Sequence, residues 1–180
     1  MSGRDVPSDD GRQDLVGESL RRAFGTFPTG VVALCGLHAG APVGMAVSTF
    51  VPVSLDPPLV AVCLQRASRT WPVLRTLPVL GLSVLADRHG AAARSLAARS
   101  GDRFAGLETT VTDGGAVHVS GSPAAFVCTL HDEVDAGDHL IALLRVRRVE
   151  AEPEIAPLVF HRSGFTRIGS DHELPTARPA

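Results

Sequence analysis

The residues best suited to chemistry lie in one stretch, Gly44 to Trp71. Ser48, Thr49, Ser68 and Thr70 offer hydroxyls, and Arg66 and Arg69 offer charged donors. Gly44 and Ala46 keep the side chains small on the approach to them, so a flat ring could come close to the backbone there. Small residues for a planar group, with hydroxyls and arginines for a phosphate, describe a site for a nucleotide-like cofactor. Ser and Thr are also ordinary strand residues, and spacing alone leaves a purely structural reading open.

Several other chemistries are excluded. The chain has no GxGxxG, no GxxxxGK[ST], no GxSxG and no HExxH, and no His/Cys pair has metal-ligand spacing. All 17 basic residues are Arg, so lysine Schiff-base chemistry cannot occur. Asp132, Glu133 and Asp135 crowd together, but beside the turn Ala136-Gly137, which reads as a solvated acidic hairpin end. Cys35, Cys63 and Cys128 are far apart, odd in number and set in apolar runs; they read as buried free thiols, with neither disulfide framework nor zinc.

Composition agrees. The chain has 180 residues, 44% hydrophobic and 20% charged, with net charge −2. That is one globular domain with no footprint for nucleic acid or a membrane surface. The polar start MSGRDVPSDDGRQD has no apolar core and does not read as a signal peptide, and no apolar run is long enough to span a bilayer. A reducing cytoplasm is the expected compartment.

The elements that position these residues follow from periodicity. Residues 1–13 read as a polar tail and 170–180 as a second one, leaving a domain over 14–169. From Asp14, apolar residues Leu15, Val16, Leu20, Ala23, Phe24 and Phe27 recur at helical spacing, predicting a helix with one face on the core. Val31–Leu37 reads as a buried strand, turning at His38–Pro42 into a β run over Val43–Val53. Asp56-Pro57-Pro58 breaks the ladder, and Leu59–Leu64 returns as the next strand. Ser68 is a candidate cap for a short helix to Arg75. Leu80–Leu85 is a strand, Asp87–Arg99 a helix weakened by Gly90, and Val117–Val119, Ala124–Val134 and His139–Glu150 are further strands. Leu158–His161 and Phe165–Ile168 close the chain. About eight short strands without βα alternation predict a mainly β, antiparallel barrel with peripheral helices.

The order of motifs resembles the flavin reductase-like family, the reductases of two-component flavin monooxygenases. The matching residues are Phe27-Pro28-Thr29-Gly30-Val31, Pro42-Val43-Gly44-Met45-Ala46, Ser48-Thr49-Phe50 and Val53-Ser54-Leu55-Asp56-Pro57-Pro58-Leu59-Val60. Arg66, Ser68, Thr70, Asp102-Arg103-Phe104, Gly137-Asp138-His139 and Pro157-Leu158 to Gly164-Phe165 follow in order. The resemblance implies an FMN-binding split barrel that uses FMN or FAD with NADH or NADPH, forms a homodimer and serves a partner oxygenase. It assigns Gly44, Met45, Ala46, Ser48 and Thr49, with Thr29 and Pro42 nearby, to the flavin ring and ribityl side. Cys63, Leu64 and Gln65 meet the ring edge. Ser68, Arg69 and Thr70 hold the phosphate with Arg66 close by, and Phe165 is the closing aromatic. Gly137, Asp138 and His139 meet the nicotinamide, with His139 nearest the chemistry. The absence of an obvious basic cluster for a 2′-phosphate favours NADH over NADPH. A flavin carrier or sensor without turnover, or a flavin enzyme acting directly on an organic substrate, are the competing functions.

Overall fold

A computed structural model describes residues 17–168. The two predicted tails and the predicted helix start at Asp14, Leu15 and Val16 lie outside the described residues. In chain order the elements are helix α1 (Gly17–Phe24) and strands β1 (Thr29–Gly30), β2 (Val32–His38), β3 (Ala41–Val47), β4 (Val51–Leu55) and β5 (Pro58–Gln65). Helix α2 (Trp71–Leu74), strand β6 (Leu80–Val84), a 3₁₀ turn at Asp87–His89 and helix α3 (Gly90–Ala97) come next. The chain ends with β7 (Thr109–Val111), β8 (Val117–Val119), β9 (Ala124–Ala136), β10 (His139–Ala151), β11 (Leu158–His161) and β12 (Gly164–Arg167).

Seven strands form one antiparallel sheet in the order β3-β2-β6-β9-β10-β5-β4. Its two edge strands are consecutive in the chain, joined only by Ser48-Thr49-Phe50. Laid flat, seven strands would hold their edges about 29 Å apart. Four Cα steps, from Val47 to Val51, span at most about 14 Å. The sheet therefore has to curl until its edges nearly meet. Thr49 closes the seam: its Oγ1 accepts a bond from the Cys63 N–H at 2.8 Å and reaches the Cys63 carbonyl at 3.3 Å. Both edges carry a proline, Pro42 in β3 and Pro52 in β4, at positions a central strand does not tolerate.

The curl encloses the main core. Val32, Leu34, Val60, Val62, Leu64, Leu80, Leu82, Cys128, Ala142 and Leu144 converge from its strands, and Trp71 and Leu74 of α2 plug it. β2 is buried on both faces. Its alternate residues Ala33 and Cys35 join a second core with Ala93 and Leu96 of α3, Val117 and Val119 of β8, and Leu158. β11 carries β1 on one side and β12 on the other, and β7 pairs with β8.

The mainly β antiparallel barrel with helices outside it is as the sequence predicts. Four local expectations change. The run Val43–Val53 is two strands on opposite sheet edges, since the chain crosses the seam at Ser48–Phe50. Thr29-Gly30, expected to end a helix, forms a short strand against Phe160 and Val159, and Thr109–Val111 is an unforeseen strand. Together these give twelve strands among the described residues. The Asp87–Arg99 helix begins as a 3₁₀ turn, so Gly90 lies at the junction with α3 instead of weakening its middle. The expected core face of α1 is not used by this chain: none of its residues is buried, and Phe24 and Phe27 are 71% and 73% exposed.

β6 crosses β8 so closely that a Cβ on Gly81 would stand 2.1 Å from the Val117 carbonyl oxygen and 2.8 Å from its nitrogen. Backbone cannot yield as a side-chain tip does. Gly81→Ala is expected to cost about 2 kcal/mol. Its melting temperature should fall by about 4–8 °C in a thermal unfolding scan.

Candidate functional site

Where the seam stays open, a cleft of about 700 Å³ forms, within the usual range of roughly 300–1,000 Å³ for small-molecule sites. One wall is the end of β3 with the crossing (Met45, Ala46, Val47, Ser48), and the next is the end of β5 (Cys63, Leu64, Gln65). The loop Ala67–Thr70, the end of α3 through Arg99, Arg103 and His139 complete it. Of the predicted site residues, the fold thus brings together Met45, Ala46, Ser48, Cys63, Leu64, Gln65, Ser68, Arg69, Thr70 and His139. Ala67, Ala97, Ala98, Arg99 and Arg103 were not among them. Arg103 lies in the motif Asp102-Arg103-Phe104, but no local pattern distinguishes an arginine that turns into a cleft from one that faces water.

Charge in the cleft is one-sided. Arg69, Arg99 and Arg103 line it and no Asp or Glu does. Arg69 and Arg99 make no ion pair among the described residues, and both are exposed. Arg103 is half-buried and donates to the Gly44 carbonyl at 3.1 Å and the Thr70 hydroxyl at 2.7 Å, tying β3 to the start of α2. Uncompensated guanidinium groups beside small residues fit a phosphorylated planar ligand.

The remaining predicted residues have other work. Gly44 lies against β2: a Cβ there would come 2.4 Å from Cys35 Sγ, so its smallness serves strand packing. Thr49 holds the seam. Ser68 Oγ accepts from the Thr70 and Trp71 N–H groups at 3.3 and 3.2 Å just ahead of α2, but the N-cap is Thr70, two residues later than the sequence reading places it, and its side chain makes no capping bond. Thr29 sits in β1, with its Oγ1 buried and unpartnered among the described residues. Pro42 lies at the hairpin end of β3, opposite Leu37. Phe165 packs edge-on to Phe160, with ring centroids 5.7 Å apart, beneath the guanidinium of Arg94. It braces the first turn of the helix whose last turn reaches the cleft.

Arg66 points away from the cleft. Its Nε donates to the Gly137 carbonyl at 2.8 Å, a terminal nitrogen pairs with Asp135 at 2.6 Å, and its backbone N–H donates to the Asp138 carbonyl at 3.0 Å. Glu133, read as a solvated acid, is mostly covered: one oxygen accepts from the Trp71 indole N–H at 2.6 Å and the other pairs with Arg75. Glu133 thus braces the start of α2, and Asp135 holds Arg66 to the hairpin. Gly137 opens the two-residue turn between β9 and β10 with φ +65°, and Asp138 follows at the tip. His139 Nδ1 lies 2.7 Å from an Asp138 oxygen, which makes Nδ1 the protonated nitrogen and leaves Nε2 free of partners among the described residues. This bond to His139 holds the Asp138 carboxyl below its ordinary pKa.

Barrel and cleft define a flavin reductase of the split-barrel type, and residues 24–169 match the family model described as the flavin reductase like domain. The chain belongs to that family. It is 40% identical over 153 residues to the actinorhodin polyketide dimerase of Streptomyces coelicolor, covering 84% of this chain and 86% of that one. It is 34% identical to the reductase subunit HsaB of a Rhodococcus jostii flavin-dependent monooxygenase, covering 87% and 80%. The Streptomyces globisporus NADH:FAD oxidoreductase, solved in complex with NAD and FAD fragments, superposes with a TM-score of 0.82 at 31% identity, covering 96% of this chain and all of that one.

The three thiols differ in access. Burial pushes those of Cys35 and Cys128 up to about 12, which keeps them as unreactive thiols at ordinary pH. Cys63 is only half-buried and lines the cleft. A thiol reagent at pH 8 should therefore modify one cysteine of the native protein, and Cys63→Ser should abolish the reaction. Modification of two or three without unfolding would contradict the burial.

Proposed function

We propose that this protein is an NADH-dependent flavin reductase that supplies reduced flavin to a partner oxygenase. The observation that carries the reading is the cleft: three arginines without a carboxylate, small-residue walls, and His139 from the far hairpin, in a chain of the flavin reductase like family. When bound, the flavin would accept hydride from the reduced nicotinamide, so the chemistry resides in the two ligands. The protein's part is to hold them. Orientation of two reactants supplies about 7–11 kcal/mol in favourable cases, which fits a cleft that holds no carboxylate for acid/base work.

In this reading Met45–Ser48 and Cys63–Gln65 flank the ring. Arg69, Arg99 and Arg103 neutralise phosphate, and Ser68 and Thr70 shape the loop that carries Arg69. His139, oriented by Asp138, offers Nε2 to the nicotinamide. The relatives named as an NADH-dependent FAD reductase and an NADH:FAD oxidoreductase support NADH and FAD as the pair used. The relative named as a monooxygenase reductase subunit supports the oxygenase partner.

A two-fold homodimer belongs to the same reading. Phe24 and Phe27 beside α1, and Val51, Val53 and Leu55 on the edge strand β4, leave apolar surface that a second copy would cover. Among the described residues no helix is long and apolar enough to cross a membrane, and three free thiols suit a reducing cytoplasm.

The deciding assay mixes the purified protein with NADH or NADPH and FMN or FAD. Flavin-dependent NADH consumption without an organic substrate is expected. Tight flavin binding without turnover would instead favour a carrier, and a need for an organic substrate would favour direct catalysis of the sort suggested by the relative named as a polyketide dimerase. His139→Ala should slow NADH oxidation about tenfold while flavin binding stays nearly intact, the scale of losing one hydrogen bond to the nicotinamide. Unchanged turnover would remove His139 from the site. Sedimentation or light scattering should give a dimer; a monomer at micromolar concentration would count against the interface.

A further inference from the structure

We infer that Arg66 is a positioning residue for His139: it latches the Gly137-Asp138 turn to the end of β5, and so governs nicotinamide affinity instead of holding flavin phosphate. The inference rests on the reductase reading. Arg66 makes three contacts to one hairpin end, from its backbone N–H to Asp138, from Nε to Gly137 and from a terminal nitrogen to Asp135. Regular pairing of β10 with β5 ends at His139 opposite Gln65, and Arg66 extends the contact by one residue, from main chain and side chain together. Among the described residues, no other side chain outside the hairpin makes a hydrogen bond or ion pair to its tip, Asp135 to Asp138; Arg21 of α1 adds only charge attraction at Asp138.

The tip itself is weakly held. The Asp138 and Asp135 side chains are 94% and 82% exposed, and Gly137 has no packing partner on its open side. His139 takes its ring orientation from Asp138, so freedom at the turn passes directly to the imidazole. An exposed ion pair contributes little to global stability, so the latch fixes a position and does not hold up the fold. The guanidinium matters for its fork: two nitrogens reach a carbonyl and a carboxylate at once, which a lysine ammonium does not reproduce. With Nε and a terminal nitrogen already occupied, Arg66 is also poorly placed to serve an anion in the cleft, whose lining does not include it.

The test compares wild type with Arg66→Ala, Arg66→Lys and Asp135→Asn. Two kinds of measurement are made: dissociation constants for FMN and for riboflavin, which lacks the phosphate, by flavin fluorescence; and kcat and KM for NADH at saturating flavin. For Arg66→Ala, both flavin constants should stay within about twofold of wild type, and KM for NADH should rise on the order of tenfold with kcat changed less, the scale of losing one or two hydrogen bonds. Arg66→Lys should resemble Arg66→Ala, and Asp135→Asn, which keeps the bond to Gly137, should fall between. Selective loss of FMN affinity with riboflavin unaffected would make Arg66 a phosphate contact and overturn the inference. So would an unchanged KM in Arg66→Ala, or full rescue by lysine. Wild type that oxidises no NADH would overturn the reductase reading itself, whereas turnover with an indifferent Arg66→Ala overturns only the latch.

Discussion

The three-residue crossing at Ser48-Thr49-Phe50 is the constraint on which the rest depends. It forces two edges of a seven-stranded sheet to within reach of each other, and the sheet answers by curling around a core of aliphatic side chains plugged by Trp71. The closure is incomplete: β3 and β4 form no ladder with each other, and each carries a proline that lacks a ladder donor. Thr49 makes the join with a side chain where backbone pairing is missing. The opening beside that join is the cleft.

Sorting the arginines by partner separates scaffold from site. Arg66 and Arg75 are neutralised by Asp135 and Glu133; Arg66 ties down the hairpin turn, and Arg75 with Glu133 braces α2. Arg69, in the loop 66–70 between them, has no such partner among the described residues, and Arg99 and Arg103 join it from the segment after α3. A carboxylate in the cleft would cancel the field that attracts a phosphate; keeping Glu133 and Asp135 on the far side of the loop preserves it. The acids then stabilise the loop without occupying its ligand face. Arg103 joins both groups, since it spans β3 and the start of α2 while lining the cleft.

The cleft's parts come from segments far apart in the chain, which sets different demands on each. The β3 wall belongs to an edge strand held by β2, whereas β5 lies inside the sheet between β10 and β4. His139 starts β10, which is paired with β5 from that residue on, and the turn before it is tied back through exposed groups.

Much of the fold was legible in the residues alone. Alternation, Gly and Pro punctuation and the two long β-rich runs near the C-terminus mark the strands because period-2 burial is a local property. The motif order pointed to the family, and the cleft does collect Met45, Ala46, Ser48, Cys63–Gln65, Ser68–Thr70 and His139. Three things were decided only by tertiary structure. The split of Val43–Val53 across two sheet edges depends on which strands pair, and pairing is non-local. The fates of Arg66, Arg69 and Arg103 depend on where carboxylates from other strands fall; nothing in their neighbours along the chain distinguishes a latch from a ligand. The stripe from Leu15 to Phe27 is apolar by sequence, but what it packs against is set by geometry, and among the described residues Phe24 and Phe27 stay open to solvent.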